Sequence, residues 1–494
     1  MSGRNRSKCK RAKKSQQQSL HSHPARNKES LVALQSWFLP DSEIFSKVRF
    51  HGNTTWTPVE LVWLALWWAW SESRNLTDAF TEAVEGCRRV YASSPLNTYQ
   101  GFMKAMVTWT STFMGLLYPV LHARMQEIAG KFWRIDGWVP IGFDGSRSSA
   151  PRTEENEQSL CAPNYGKGKT ARYRKKKSKG LRREKNEKSK PQPQKPQAWI
   201  TLMWHMGLRL PWTWRLGPSN SSERAHVMDM VRTGKYATKT LFCGDAGFVG
   251  WPLWSNILQC GHDFLVRVGA NVDLLMEAAD FSRQKDGIVL CWPKAMMRAG
   301  HPPLRLRLVK TTIGKTCVWL LTSVLDPAEL TVKQMVRFYM MRWGIEVEFR
   351  GLKQTLERTK LCSHNPKRLL AELDWSIMAM AIAELFALKE QLTNKRSKSS
   401  GKRPPPDPTK RSLANTMRAI RRCLRNLNET PEPGKDLRAQ LRDAVTDSYR
   451  RKASKKARYR PPNPDKKPLG DPKLRQLTPE ERKKVNAHAA RLAT

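Results

Sequence analysis

No run in this 494-residue sequence is apolar for long enough to cross a bilayer. The richest stretch, Leu61 to Trp70 (LVWLALWWAW), is ten residues, about half of what a spanning helix needs, and reads as a segment of a buried helix. No apolar signal-peptide core follows the basic start MSGRNRSKCKRAKK. The nine cysteines form no CxxC pair and no Cys/His spacing suited to zinc. An odd, scattered set in a long chain reads as reduced thiols, not a disulfide framework. A phosphate loop of Walker type is missing, so no nucleotide cofactor is expected. So is a GxSxG elbow, and with it any local sign of a serine nucleophile. His205 and His226 read as structural. Acid is scarce as well: 43 Asp and Glu face 88 Lys and Arg, for a net charge of +45 and a pI near 10.3. A surplus of that size repels itself and calls for a polyanionic partner, nucleic acid before all. An anionic membrane would go with a lipid-facing amphipathic helix or an anchor motif. A cytoplasmic, nucleoid-associated protein is the expectation.

Hydrophobic residues make up 39% of the chain, below the globular norm, so the deficit sits in particular segments. Residues 1–30 are basic and polar, a disordered tail by composition. Residues 31–137 carry apolar residues at helical spacing and read as a helical N-terminal domain. Strand patterns begin at Trp138–Phe143, and residues 138–393 read as a mixed α/β domain. Two segments interrupt it. One is a basic loop, 163–197, where Lys167 to Lys195 holds fourteen Lys and Arg against two Glu. The other is a β-rich insertion, 270–323. A helix is expected from Asp326-Pro327 through Lys353, and another from Pro366 to Leu392. Residues 394–494 form a basic C-terminal extension with two modest helical patterns, Ser412–Leu427 and Lys435–Tyr449, and are otherwise tail-like.

Phosphodiester cleavage at neutral pH needs an activated water and shielding of charge at phosphorus, which two divalent ions supply when carboxylates hold them. Asp144 follows the apolar strand WVPIGF, and Asp245 follows TLFCG; both stand where a strand gives way to a glycine-containing loop. Asp-Gly and Asp-Ala-Gly are also ordinary turn sequences, so neither is decisive alone. The helix around Phe338–Lys353 is more specific. Arg342, Glu346 and Lys353 lie three, seven and fourteen residues after Tyr339. At about 100° per residue all four fall within a sector of about 60°, with Glu348 about 180° from Tyr339. A face of Tyr, Arg, Glu and Lys suits a metal ligand flanked by phosphate donors. A solvated face of ion pairs is the plain alternative.

The spacing Y-x2-R-x3-E-x6-K, here YMMRWGIEVEFRGLK, resembles without a gap the signature of cut-and-paste insertion-sequence transposases of the DDE superfamily. FDGS and GDAGF are similar to the contexts of that family's first and second Asp. The resemblance covers roughly residues 50–390. It implies an RNase H-like catalytic core (a mixed sheet with flanking helices) carrying a β-rich insertion between the second Asp and the Glu. It implies that Asp144, Asp245 and Glu346 are catalytic and hold two Mg²⁺ or Mn²⁺ ions. Tyr339, Arg342 and Lys353 would contact the DNA backbone, and Trp319 of the insertion would stack on a flipped base. The partner would be double-stranded DNA, both element ends and target, bound by a homodimer. Strand cleavage and strand transfer at insertion-sequence ends is the function so implied. The alternative is a catalytically inactive, transposase-derived DNA-binding protein. An RNA-binding reading explains the charge but not the one-sided helix face.

Overall fold

Apolar residues at helical spacing give the first part of the chain four helices: α1 (Asn27–Phe38), α2 (Pro58–Trp70), α3 (Leu76–Tyr91) and α4 (Tyr99–Ala129). The structure, a computed structural model, describes residues 26–40, 42–51, 54, 56–91, 98–161, 195–276, 286–314, 316–393, 407–446 and 469–493. Nearly all of the basic tail and of the basic loop 163–197, and residues 394–406 and 447–468 of the C-terminal extension, lie outside them. Thr57 caps α2 through a reciprocal box with Glu60, and Pro58 takes the first helical position, where no donor is lost. All ten residues of Leu61–Trp70 are buried, because α2 packs between α3 and later helices. No described helix is long and apolar enough to cross a membrane.

The sheet follows. Its elements are β1 (Val139–Ser149), α5 (Glu154–Leu160), β2 (Gln197–His205), β3 (Leu210–Gly217), α6 (Glu223–Thr233), β4 (Thr240–Gly244), α7 (Trp251–Gln259) and β5 (Asp263–Val268). β1, β2 and β3 run antiparallel in sequence; β4 and β5 run parallel to β1 on its other side. The spatial order 3-2-1-4-5 with these directions is an RNase H-like core.

The next strands are β6 (Asp273–Met276), β7 (Asp286–Cys291), β8 (Leu304–Ile313) and β9 (Thr316–Thr322), with the short α8 (Lys294–Arg298) after β7. The insertion does not form a sheet of its own. β9 pairs antiparallel with β5, and β8, β7 and β6 follow outward, so the core sheet continues through them.

Then come α9 (Val332–Arg342), α10 (Ile345–Arg350), α11 (Pro366–Thr393), α12 (Leu413–Arg425) and α13 (Leu437–Arg442). Last are β10 (Lys473–Gln476) and α14 (Pro479–Ala493). The extension is therefore not all tail: β10 pairs parallel with β6 and becomes the edge of a ten-stranded sheet. α11 lies between the N-terminal helices and the sheet. Its Trp375 donates to Thr110 of α4 at 2.8 Å, and its Ala379 carbonyl accepts from Trp70 of α2 at 2.8 Å. A single apolar core thus joins α1–α4, the sheet and α11–α13.

Candidate active site

The three singled-out carboxylates stand near the rim of the sheet, with Asp245 and Glu346 in electrostatic reach of Asp144. β1 does not stop at Phe143 as its apolar run suggests. It continues to Ser149 because β2 pairs along its whole length, Asp144 opposite Leu202 and Ser149 opposite Gln197. Its parallel ladder with β4 ends earlier, at Gly142 opposite Cys243. Asp144 therefore stands just past the end of its parallel neighbour, and Asp245 just past the end of β4. Oδ1 of Asp245 accepts the Gly247 N–H at 2.8 Å, which closes the turn.

Glu346 arrives from the other direction. The helix expected from Asp326 to Lys353 is in fact three pieces. It begins later, at Val332, with Thr331 as N-cap and Gln334 completing the capping box, because residues 327–330 form turns. It then tightens between α9 and α10, where the amides of Trp343, Gly344, Glu346 and Val347 each bond the carbonyl three residues back. Gly344 is needed there: a Cβ on it would lie 2.1 Å from Cη2 of Trp204, whose ring is wholly buried. After Arg350 a π turn spans Gly351–Thr355, closed by Leu356 N–H to the Gly351 carbonyl at 3.2 Å. Tightening overwinds the helix and the π turn underwinds it, so the two partly cancel over the motif. Glu346 and Glu348 still part company. Glu346 is exposed on the Asp144 side; Glu348 is buried on the opposite side, beside Arg411 and Glu384.

Asp144 is half-buried at the rim, and Glu346 is exposed. Burial pushes the pKa of Asp144 up, and the charges of Asp245 and Glu346 push it further; the Gly145 N–H, 2.8 Å from Oδ1, and Arg342 work against them. The Arg342 guanidinium is buried, with Nη1 3.5 Å from Asp144 Oδ2, Cζ 5.6 Å from the Tyr339 ring centre and Nε without a partner. Lys353 donates to Ser146 Oγ on β1 at 2.6 Å, and burial lowers its pKa. Past the π turn, Thr359 and Leu361 bond both backbone groups of Ser149, which ties the motif to the far end of β1.

The other candidates sit differently. Tyr339 and Arg342 are buried under the site and not displayed as surface donors. Trp319 is 9% exposed on β9, its indole donating to Asp471 at 2.7 Å, with Lys310 over its ring. Trp343, next to Arg342, is 50% exposed. Both histidines serve structure: His205 accepts the Leu208 N–H at 3.1 Å, and His226 meets Thr201 Oγ1 at 2.9 Å.

One acidic residue near the site escaped the sequence reading. Glu223, the first residue of α6, has Asp144 and Asp245 within electrostatic reach and is pushed up to about 7, by burial first and by those two charges next. Behind the N-cap Ser222 it looks like any acid complementing a helix dipole. The one hint was Gly145, a residue with no side chain beside Asp144.

Among the described residues, no three His, Cys, Asp or Glu side chains converge closely enough to hold a metal ion as they stand. The donor chemistry nonetheless suits a hard cation: carboxylate oxygens only, crowded enough that neighbouring charges help to raise the pKa of Asp144 and of Glu223.

Residues 164–382 match the sequence model of the family described as Transposase DDE domain. The match spans less than half of the chain, takes in Asp245 and Glu346, and begins after Asp144. No curated protein matches the chain. Among solved structures, a cryo-EM piggyBac transposase synaptic complex with hairpin DNA is similar over 87% of this chain and 89% of its own. Its identity is 14% and its TM-score 0.36, too low to bear on what this chain does. Over residues 164–382, then, the chain is similar to the family described as Transposase DDE domain.

Proposed function

We propose that the chain cuts DNA at the ends of a mobile element and joins the freed ends to a target, with Asp144, Asp245 and Glu346 as the carboxylates of the reaction. One observation carries this reading. Three carboxylates from three separate elements, β1, the turn after β4, and α10, share one electrostatic environment beside a buried Arg342. Divalent cations, Mg²⁺ or Mn²⁺, would supply water activation and charge neutralisation at phosphorus.

The chain's own residues have distinct tasks. Asp144, Asp245 and Glu346 would hold the cations. Arg342 orients the Asp144 carboxylate and limits the repulsion it feels. Lys353, bonded to Ser146 at the rim, is the cation best placed to turn toward a backbone phosphate. An unstacked base would meet Trp343 first; Trp319 would reach one only after Asp471 leaves it. Stacking on an aromatic is worth about 1–3 kcal/mol per base, comparable with the cost of unstacking. The surplus of Lys and Arg would hold the DNA backbone, and paired ends would require two copies of the chain.

Cleavage of a labelled duplex carrying the element's ends, with Mg²⁺ or Mn²⁺, tests the reading. Wild type should nick it only with metal. Asp144→Asn, Asp245→Asn and Glu346→Gln should each lose at least about 100-fold, while Glu348→Gln should retain cleavage if the protein is assayed below its melting temperature. Binding of the ends without cutting, whatever the metal, would favour the inactive DNA-binding descendant instead.

A further inference from the structure

Gly145 is shaped around another residue. A Cβ at this position would lie 1.9 Å from Oε1, 2.6 Å from Cδ and 3.0 Å from Cγ of Glu223. The Glu223 side chain thus occupies the space where residue 145 would carry its own. Successive side chains of a strand point to opposite faces, so Asp144 and the missing side chain of Gly145 do too. A Cβ on Gly142, two residues before Asp144, would face Arg342, which puts Asp144 on the α9 side and Glu223 on the α6 side of β1. Two carboxylates therefore flank the β1 backbone at consecutive residues, one from each face, with Asp245 in reach of both.

Glu223 has no hydrogen bond or ion pair among the described residues, although Arg147 and Arg224 are near enough to act on its charge. An acid fitted that closely against a strand, repelled by two neighbours and left without a partner, is costly unless something positive joins it. The second observation is on the other face. The buried Arg342 has an unpartnered Nε and a long 3.5 Å contact to Asp144, so it does not saturate the site's negative charge.

We propose that Glu223 is a fourth carboxylate of the metal site, contributing to cation binding beside Asp144 and Asp245 from the α6 side of β1. This rests on the reading of Asp144, Asp245 and Glu346 as the metal-holding set. It predicts that Gly145 is required for cation binding, since any side chain there must displace Glu223.

The test is Mn²⁺ binding to the full-length protein without DNA, followed by calorimetry and by the spin-resonance signal of free Mn²⁺. Melting in chelator is measured alongside. Glu223→Gln should weaken Mn²⁺ binding at least tenfold and raise the melting temperature of the metal-free protein, because a repelled charge is gone. Gly145→Ala should weaken binding likewise with Glu223 intact. Asp144→Asn is the reference. If it abolishes Mn²⁺ binding while Glu223→Gln and Gly145→Ala bind as wild type does, the proposal is overturned and the three-carboxylate reading survives. If wild type itself binds no Mn²⁺, both fall.

Discussion

Replacing Gly344 with Ala should damage catalysis far more than stability. The backbone at 344 is helical, φ −60° and ψ −28°, so Ala suits it, and in a helix Ala is favoured over Gly by about 1 kcal/mol. The nearest obstacle is Trp204. The new Cβ would lie 2.1, 2.9 and 3.1 Å from three atoms of its ring, where contact is normally about 3.5–4.0 Å. Trp204 is wholly buried, so relief means moving α10 by about 1 Å or more. Overpacking of this kind costs about 1–3 kcal/mol. Set against the helix gain, the net loss is at most about 2 kcal/mol, a few degrees in melting temperature. The same shift carries Glu346 away from Asp144 and Asp245, and a misplacement of about 1 Å can cost roughly 100-fold in rate. The assay is metal-dependent nicking at fixed protein and DNA, with thermal melts in parallel. Trp204→Leu in the Gly344→Ala background should restore much of the rate, since it removes the ring that forces the shift. Gly344→Ala at wild-type rate, or a double variant no better than the single one, would refute the reasoning.

Two further outcomes follow from buried charge. Arg411 lies between Glu348 and Glu384, 3.9 and 3.3 Å from their oxygens, and bonds the Leu208 and Arg209 carbonyls. Arg411→Met leaves two buried carboxylates uncompensated and should cost about 3–5 kcal/mol, read by denaturant unfolding; a loss under 1 kcal/mol would show that the ion pairs matter little. Asp374, half-buried on α11 with the Trp214 indole donating to it at 2.8 Å, is pushed up by desolvation to about 7. A carboxyl with a raised folded pKa stabilises fully below its unfolded value of 3.8, and that contribution is lost as pH rises through about 7. Asp374→Asn should therefore flatten the fall in melting temperature between pH 5 and pH 8; an unchanged slope would rule Asp374 out as its source.

The sequence indicated which carboxylates lie near one another better than how the chain brings them there. Glu346 and not Glu348 lies on the Asp144 side, as spacing alone suggested, because residues two apart on a helix point about 200° from each other, and the overwinding at Gly344 does not undo that. Neither that overwinding nor the π turn after Arg350 was legible. The first arises from Trp204, remote in sequence, and the second from a tie between Thr359, Leu361 and Ser149. The end of β1 was misread because its partner β2 lies beyond the basic loop, and pairing there outweighs the turn preference of Asp-Gly. The Trp reading suffered from number: with nineteen Trp in the chain, burial could not be sorted by pattern, and Trp319 is one of those in the core. β10 was invisible because KLRQ is short and charged, as an edge strand can be.

That edge strand bears on when the protein can finish folding. β6 pairs with β7 on one side and with residues 473–476 on the other, about 200 positions later in the chain. At a synthesis rate of about 5–20 residues per second, the open edge of β6 waits some 10–40 s for its partner. During that interval the exposed backbone of β6 can pair with another nascent chain made on the same message. A version truncated before Lys473 would carry the open edge permanently, and its yield of soluble protein should depend on expression rate more steeply than that of the full chain.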